Sequence, residues 1–389
     1  MKKIYLDYGA STPVDPEVID EMIPYFNEKY GNPSSIHSFG VEALDAIEES
    51  REKVAKMIGA KADEIIFTAG GTESDNLAIK GALFKNRDKK NSKGYSLITC
   101  AIEHPAVLET CKYLDKIGYK TKFVPVDKEG IIDLGELEKS ISDDTAIITV
   151  MFANNEIGVI EPMQEIGKIA KENNVLFHTD AVQAVGKVPI DVKKLNLDLL
   201  SLSSHKIYGP KGVGALYVKK GTSLQTIAHG GGHEKGLRSS TLNTPGIVGL
   251  GKACELGLKR MDKDVKHMCG LRDKLIKNIL EIEESYLNGH PKKRLCNNAH
   301  FRFTAIEGEA LNLMLDDMGI AGATGSACSS KKLQASHVLT SIGLKPEQAH
   351  GSLRLTLGRH TSKEEIEYVS NAIPEVVRKL RNMSPLWNR

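Results

Sequence analysis

Lys206 closes the apolar run Leu199-Leu200-Ser201-Leu202-Ser203-Ser204-His205, and a glycine-rich turn, Gly209-Pro210-Lys211-Gly212-Val213-Gly214, follows it. An ammonium set directly behind a buried strand and hemmed by His205 and Tyr208 is partly desolvated, which lowers its pKa and exposes a nucleophilic lone pair. Such an amine can hold a carbonyl compound as a Schiff base. Upstream, Phe67-Thr68-Ala69-Gly70-Gly71-Thr72-Glu73-Ser74 reads as strand, glycine turn and helix start, where free backbone N–H groups receive a phosphate. His178-Thr179-Asp180-Ala181-Val182-Gln183 ends another apolar strand in a carboxylate. Each feature has an ordinary structural counterpart, a surface lysine or an aspartate capping a helix that begins at Ala181. Their conjunction is what points to chemistry.

A phosphate cradle, an acid for a pyridine nitrogen and an amine for an aldehyde are the minimal set for pyridoxal 5'-phosphate. The chain resembles the class V, aminotransferase-like pyridoxal phosphate enzymes and, within them, the cysteine desulfurases. The likeness runs from Leu6-Asp7-Tyr8-Gly9-Ala10-Ser11-Thr12-Pro13 through Gly325-Ser326-Ala327-Cys328 to Met383-Ser384-Pro385-Leu386-Trp387. It implies an α/β, fold type I pyridoxal phosphate-dependent transferase. A mainly parallel sheet is expected in a large cofactor-binding domain, residues 15–260. A smaller α+β domain, residues 1–14 and 261–389, carries the cysteine loop. Two strings depart from the usual family pattern: Gly71 stands where alanine is common, and Ser204, which adds bulk beside the cofactor, where glycine is common.

By the same resemblance Lys206 anchors the cofactor and removes the substrate's α proton. Gly71, Thr72, Ser203 and His205 hold the phosphate, Asp180 faces the ring nitrogen, and Gln183 the ring oxygen. His104 stacks on the ring and moves protons, a task its unperturbed pKa suits. Asn155 reaches the ring hydroxyl or the substrate carboxylate, which Arg354 and Asn32 help to grip. Thr241 reaches the phosphate of a neighbouring subunit, so a homodimer is expected. Cys328 is the nucleophile that takes sulfur from L-cysteine as a persulfide, leaving L-alanine. The implied acceptor is an iron–sulfur scaffold protein, with tRNA thiolation enzymes as another outlet and the Cys328 loop and Met383–Trp387 tail as docking surface. No resident metal is expected, Cys328 being at most a transient ligand of an iron–sulfur cluster.

These residues need elements to position them. Strands are predicted at Ile65–Phe67, Ser96–Ala101, Thr121–Pro125, Ala146–Met151, Val175–Asp180 and Asp198–Ser203, with helices from Glu73 and Pro105 between them. The alternation implies a mainly parallel sheet covered on both faces. Thr72, His104, Asn155, Asp180 and His205 all fall just after predicted strands, where ligands of such sheets bind. Helices are also expected at Glu17–Tyr25, Val41–Ile58 and roughly Gly246–Tyr286. Shorter elements follow at Ala299–Phe303, from Glu309, at Ser352–Leu357 and at Lys363–Arg381. The alternation in Gly351-Ser352-Leu353-Arg354-Leu355 sets Arg354 opposite the leucines, where a rigid guanidinium can grip a carboxylate. Ala323-Thr324-Gly325-Ser326-Ala327-Cys328-Ser329-Ser330-Lys331-Lys332 is small, polar and glycine-containing, which predicts a mobile loop with an accessible thiol.

Composition narrows the class. The 389 residues carry a net charge of +2 with both signs interspersed, which argues against a nucleic-acid stripe or an electrostatic membrane anchor. The six cysteines form no CxxC pair, so free thiols in a reducing cytoplasm are expected rather than zinc or disulfides. No signal peptide or membrane span is read, and His229-Gly230-Gly231-Gly232-His233 is too glycine-rich for a helical zinc pair. The competing readings are a selenocysteine lyase, an ordinary aminotransferase, and a non-catalytic module using Gly209–Gly214 as a phosphate loop. That loop lacks the G-x₄-G-K-[ST] spacing.

Overall fold

The computed structural model describes residues 3–87, 95–324 and 335–387. Short elements lead in: β1 (Ile4–Tyr5), α1 (Pro16–Met22) and α2 (Pro24–Asn27), then the long α3 (Ser38–Ile58). The single helix expected over Glu17–Tyr25 is two pieces, because Pro24 has no N–H to continue the ladder of α1. Gly59, at φ 71°, ends α3 in the left-handed conformation a side chain would resist.

The central unit alternates β2 (Ile65–Thr68), α4 (Gly71–Arg87), β3 (Ser96–Cys100), α5 (Pro105–Lys116), β4 (Lys120–Val124), α6 (Leu134–Ser140), β5 (Thr145–Thr149), α7 (Met163–Glu172) and β6 (Leu176–Asp180). It finishes with β7 (Leu199–Ser203) and β8 (Gly214–Val218). Among the described residues these strands form one seven-stranded sheet ordered β2-β8-β7-β6-β5-β3-β4. Five neighbouring strands run parallel, and β8 alone is antiparallel, between β2 and β7. The strand β8 was not anticipated: its run Gly-Ala-Leu-Tyr-Val follows directly on the glycine-rich turn and was absorbed into it. Gly214 has to be glycine, since a Cβ there would lie 2.6 Å from Leu202 O and 2.7 Å from Gly70 Cα.

Strand residues divide alternately between the two faces, as the period of two requires. Ile65, Phe67, Ile98, Ile148, Leu200 and Leu202 join the apolar cluster under α3 and the long helix α8 (Thr244–Ile279). Ile66, Leu97, Ile147, Leu199 and Leu216 join a second cluster under α4 and α5. Both faces are therefore covered, which explains why these strands read as near-continuous apolar runs.

A third cluster lies apart. It unites Ile4 and Leu6 with β10 (Asn298–Phe303), α9 (Gly308–Asp317), β12 (Ser352–Thr356) and α12 (Lys363–Met383). Here β10 pairs antiparallel with β12 and with β9 (Ser285–Leu287), while β1 pairs parallel with β11 (Ile320–Ala321). The short α10 (His337–Ser341) and α11 (Pro346–His350) lead back into β12. Helix α8 runs unbroken through residue 260 and ends at Ile279, earlier than expected. No helix is long and apolar enough to cross a membrane, among the described residues.

Candidate active site

The carboxyl ends of the parallel strands open onto a pocket of about 600 Å³. Thr72, His104, Asn155, Asp180 and His205, scattered over the sequence, all line it. So do Gly71, Gln183, Ser203, Lys206 and Arg354.

Lys206 enters from the single turn after β7. Its Nζ donates to Gly9 O at 2.6 Å and to Ala10 O at 2.7 Å, so the chain's amino-terminal segment forms part of the site. Burial, reinforced by the positive charges of Lys187 and Arg354, brings its pKa down to about 8, against the opposing pull of Asp7 and Asp180. About a tenth is thus free amine at pH 7, far more than an exposed lysine would offer.

Asp180 ends β6, buried, with Oδ1 accepting from Val182 N–H at 2.9 Å. A tight turn rather than a helix begins at Ala181, so the carboxylate caps that turn. Burial raises the pKa of Asp180, while His104, Val182 N–H and Lys206 work against the rise. Asp75, wholly buried, faces Asp180 and is raised well above the carboxylate range by burial and by that neighbour. No ion pair to Asp180 occurs among the described residues. A protonated ring nitrogen would supply the missing countercharge. His104 caps α5, its Nδ1 accepting from Ala106 N–H at 3.1 Å, which leaves the neutral ring's proton on Nε2. Burial lowers its pKa, with Asp180 opposing, so it works as a neutral imidazole.

At the other end of the pocket α4 begins at Gly71, two residues before the predicted start, so that helix's first N–H groups are available to an anion. Ser203 and His205 stand across from them; His205, its pKa lowered to about 4 chiefly by burial, contacts Ser11 Oγ at 3.3 Å. A Cβ on Gly71 would meet Val182 Cγ2 at 2.7 Å, so alanine in its place would require Val182 to shift. Ser204 is fully buried but packs on Gly209, away from the pocket lining, so the bulk expected beside a cofactor falls elsewhere.

Arg354, on β12, is held by Asp7 Oδ1 at 2.9 Å and by Asn155 O at 3.1 Å. Among the described residues its buried Nε has no hydrogen-bond partner. Asn155 therefore meets Arg354 through its backbone carbonyl. Gln183 spends its amide donor on Gly9 O, at 2.9 Å.

Two expected residues stay outside the pocket. Asn32 is exposed, its Oδ1 accepting from Ser34 N–H at 3.0 Å in a local turn, and Thr241 is exposed on the loop before α8. Cys328 lies outside the described residues. The residues missed from sequence are Asp7, Gly9, Ala10, Asp75, Glu156 and His337, all but Asp7 lining the pocket. Only the string Leu6–Pro13 carried a signal for the first three.

The arrangement suits a phosphorylated aldehyde on a nitrogen ring: anion-binding N–H groups at one end, a buried carboxylate lacking a counter-ion at the other, and an amine of lowered pKa between. A family model described as Aminotransferase class-V matches residues 4–369. The chain belongs to this class V aminotransferase family, whose members depend on pyridoxal phosphate in general, and within it to the cysteine desulfurases. It is 53% identical over 385 residues to a protein of Methanosarcina thermophila named Cysteine desulfurase IscS, covering 99% of this chain and 94% of that one. Among solved structures, one titled NifS-like protein superposes with a TM-score of 0.90 at 39% identity, over 97% of this chain and 100% of the other. Another, titled SspA in complex with cysteine, gives 0.81 at 37% identity, over 93% and 100%.

Proposed function

We propose that this chain binds pyridoxal 5'-phosphate through Lys206 and removes sulfur from L-cysteine, leaving L-alanine and a persulfide on Cys328. The observation that carries the reading is the convergence of Lys206, Asp180 and the α4 amino terminus on one pocket that Arg354 also lines. Pyridoxal phosphate, when bound, supplies an aldehyde for amines and a ring that accepts electrons from the α carbon. Asp180 holds a proton on the ring nitrogen, and His104 packs as a neutral imidazole. Lys206, its amine steadied by Gly9 O and Ala10 O, takes the substrate's α proton. Arg354, with Asn155 beside it, grips the substrate carboxylate from the pocket wall.

The Cys328 thiolate then attacks the substrate sulfur. The substrate's C–S bond breaks, an S–S bond forms, and the β carbon takes a proton to become alanine's methyl group. The carbon is reduced by as much as the two sulfurs are oxidised, so no external oxidant is required. The selenocysteine lyase reading is not favoured, since the matching relatives are named for cysteine.

A homodimer is the working unit in this reading, with Thr241 reaching the neighbour's phosphate end. Exposed apolar side chains crowd the α1–α3 region, including Ile36 at 99% exposure, Tyr30 at 66% and Phe26 at 65%. So many large apolar groups in one region mark an association surface. Sedimentation is expected to give about twice the chain mass of 42.5 kDa, and Ile36→Asp to shift it to the monomer; a wild-type monomer would count against this assembly. The persulfide's onward acceptor is proposed to be an iron–sulfur scaffold protein in the cytoplasm. The function itself is tested by giving the cofactor-loaded protein L-cysteine: alanine and transferable sulfur are expected one for one. Stoichiometric keto acid would point instead to an aminotransferase.

A further inference from the structure

Seven residues beyond Asp180 stands a second lysine for which the proposed chemistry has no use. The turn after Asp180 is closed by Val185 N–H on Ala181 O at 3.0 Å and by Lys187 N–H on Ala184 O at 2.9 Å. Gly186, at φ 77°, then aims Lys187 back under the site. Lys187 and Lys206 line the same small cavity, about 20 Å³, enough for one water molecule.

Both amines are tied to Gln183, one through its backbone carbonyl and the other through the Gly9 carbonyl that its side chain also reaches. Lys187 Nζ donates to Gln183 O at 3.0 Å, the Gln183 side chain donates to Gly9 O at 2.9 Å, and Lys206 Nζ donates to that same oxygen at 2.6 Å. Among the described residues Lys187 makes no ion pair. Asp264, which lines the same cavity, is taken by Arg359 at 3.1 Å. A half-buried ammonium without a counter-ion raises the local potential felt by its neighbours.

We propose that Lys187 is a positioning residue whose positive charge keeps Lys206 poised as a free amine for aldehyde capture. The inference rests on Lys206 being the capturing amine. After burial, Lys187 is the largest influence lowering the Lys206 pKa. Arg354 acts in the same sense, whereas Asp7 and Asp180 oppose it. His104 and His205 also face Lys206, but burial keeps both neutral near pH 7. Lys187 is itself brought down to about 8 by burial, opposed by Cys296, whose thiol is pushed up to about 12. The sign follows: a nearby cation disfavours the Lys206 ammonium, so removing it raises the Lys206 pKa and lowers the free-amine fraction at neutral pH.

The test strips the full-length protein of cofactor and follows covalent capture of added pyridoxal phosphate from pH 6 to 10. For Lys187→Met the midpoint should move up by roughly half to one pH unit, slowing capture at pH 7 about three- to ten-fold with little change at pH 10. Lys187→Arg, which keeps the charge, should restore the wild-type midpoint. An unchanged midpoint in a folded Lys187→Met protein overturns the proposal, and Lys187→Gln serves the same test if the methionine variant fails to fold. If wild-type protein captures no cofactor, the reading of Lys206 falls instead.

Discussion

Lys206→Ala is expected to end covalent capture of pyridoxal phosphate and to cut alanine formation from L-cysteine by at least about 10³-fold, because one amine serves as both anchor and proton carrier. The loss should not come from unfolding. Lys206 gives its hydrogen bonds to Gly9 O and Ala10 O, and the amino-terminal segment remains tied by Gly9 N–H to Thr356 Oγ1 at 2.7 Å and by Thr12 N–H to His205 O at 2.9 Å. Lys206→Arg should fail as well, since a guanidinium stays protonated and cannot form the imine. Borohydride reduction followed by peptide mass mapping reads the outcome: wild type should carry the reduced cofactor on Lys206, and the variants should carry none. A reduced adduct on another lysine in active Lys206→Ala protein would refute the assignment.

Cys328→Ala should separate binding from sulfur transfer. Cofactor loading and the spectral change on adding L-cysteine should persist, while sulfur release falls by at least about 10²-fold. No other cysteine is placed to substitute. Cys100, Cys111, Cys254 and Cys296 are buried, and burial raises every one of their thiol pKa values, Cys254 and Cys296 to about 12. Thiols held that far from ionisation are poor nucleophiles at neutral pH. Half-buried Cys269 belongs to α8 and does not line the pocket. Full sulfur release by Cys328→Ala protein would overturn the role given to this residue.

The parts legible in the sequence were those written in local pattern. Buried parallel strands show as runs such as Leu97-Ile98 and Ile147-Ile148, and the residues just past their ends do meet in one pocket. Pro105 announced its helix boundary through a fixed backbone preference. What stayed hidden depends on distance along the chain. The pairing of Asp7 with Arg354 spans 347 residues, and that of Lys206 with Gly9 spans 197. No spacing rule reports such contacts. Asp75 and Lys187 were missed for a related reason, since a lone aspartate or lysine reads as surface until the fold closes over it. Strand β8 was lost to its own glycines, and Ser204 was misplaced because one turn of backbone decides which way it faces. Thr241, exposed in this chain, was expected to act across a subunit boundary, whereas Asn32 is occupied in a local turn with Ser34 that its sequence context did not separate from a binding role.

The most direct measurement is a single-turnover reaction of cofactor-loaded protein with L-cysteine labelled at sulfur, trapped with an alkylating agent and mapped by mass spectrometry. The account predicts one labelled sulfur on Cys328 for each alanine formed, with no labelled persulfide on the other five cysteines. Alanine formed with the label free in solution and Cys328 unmodified, or label on a different cysteine, would contradict it.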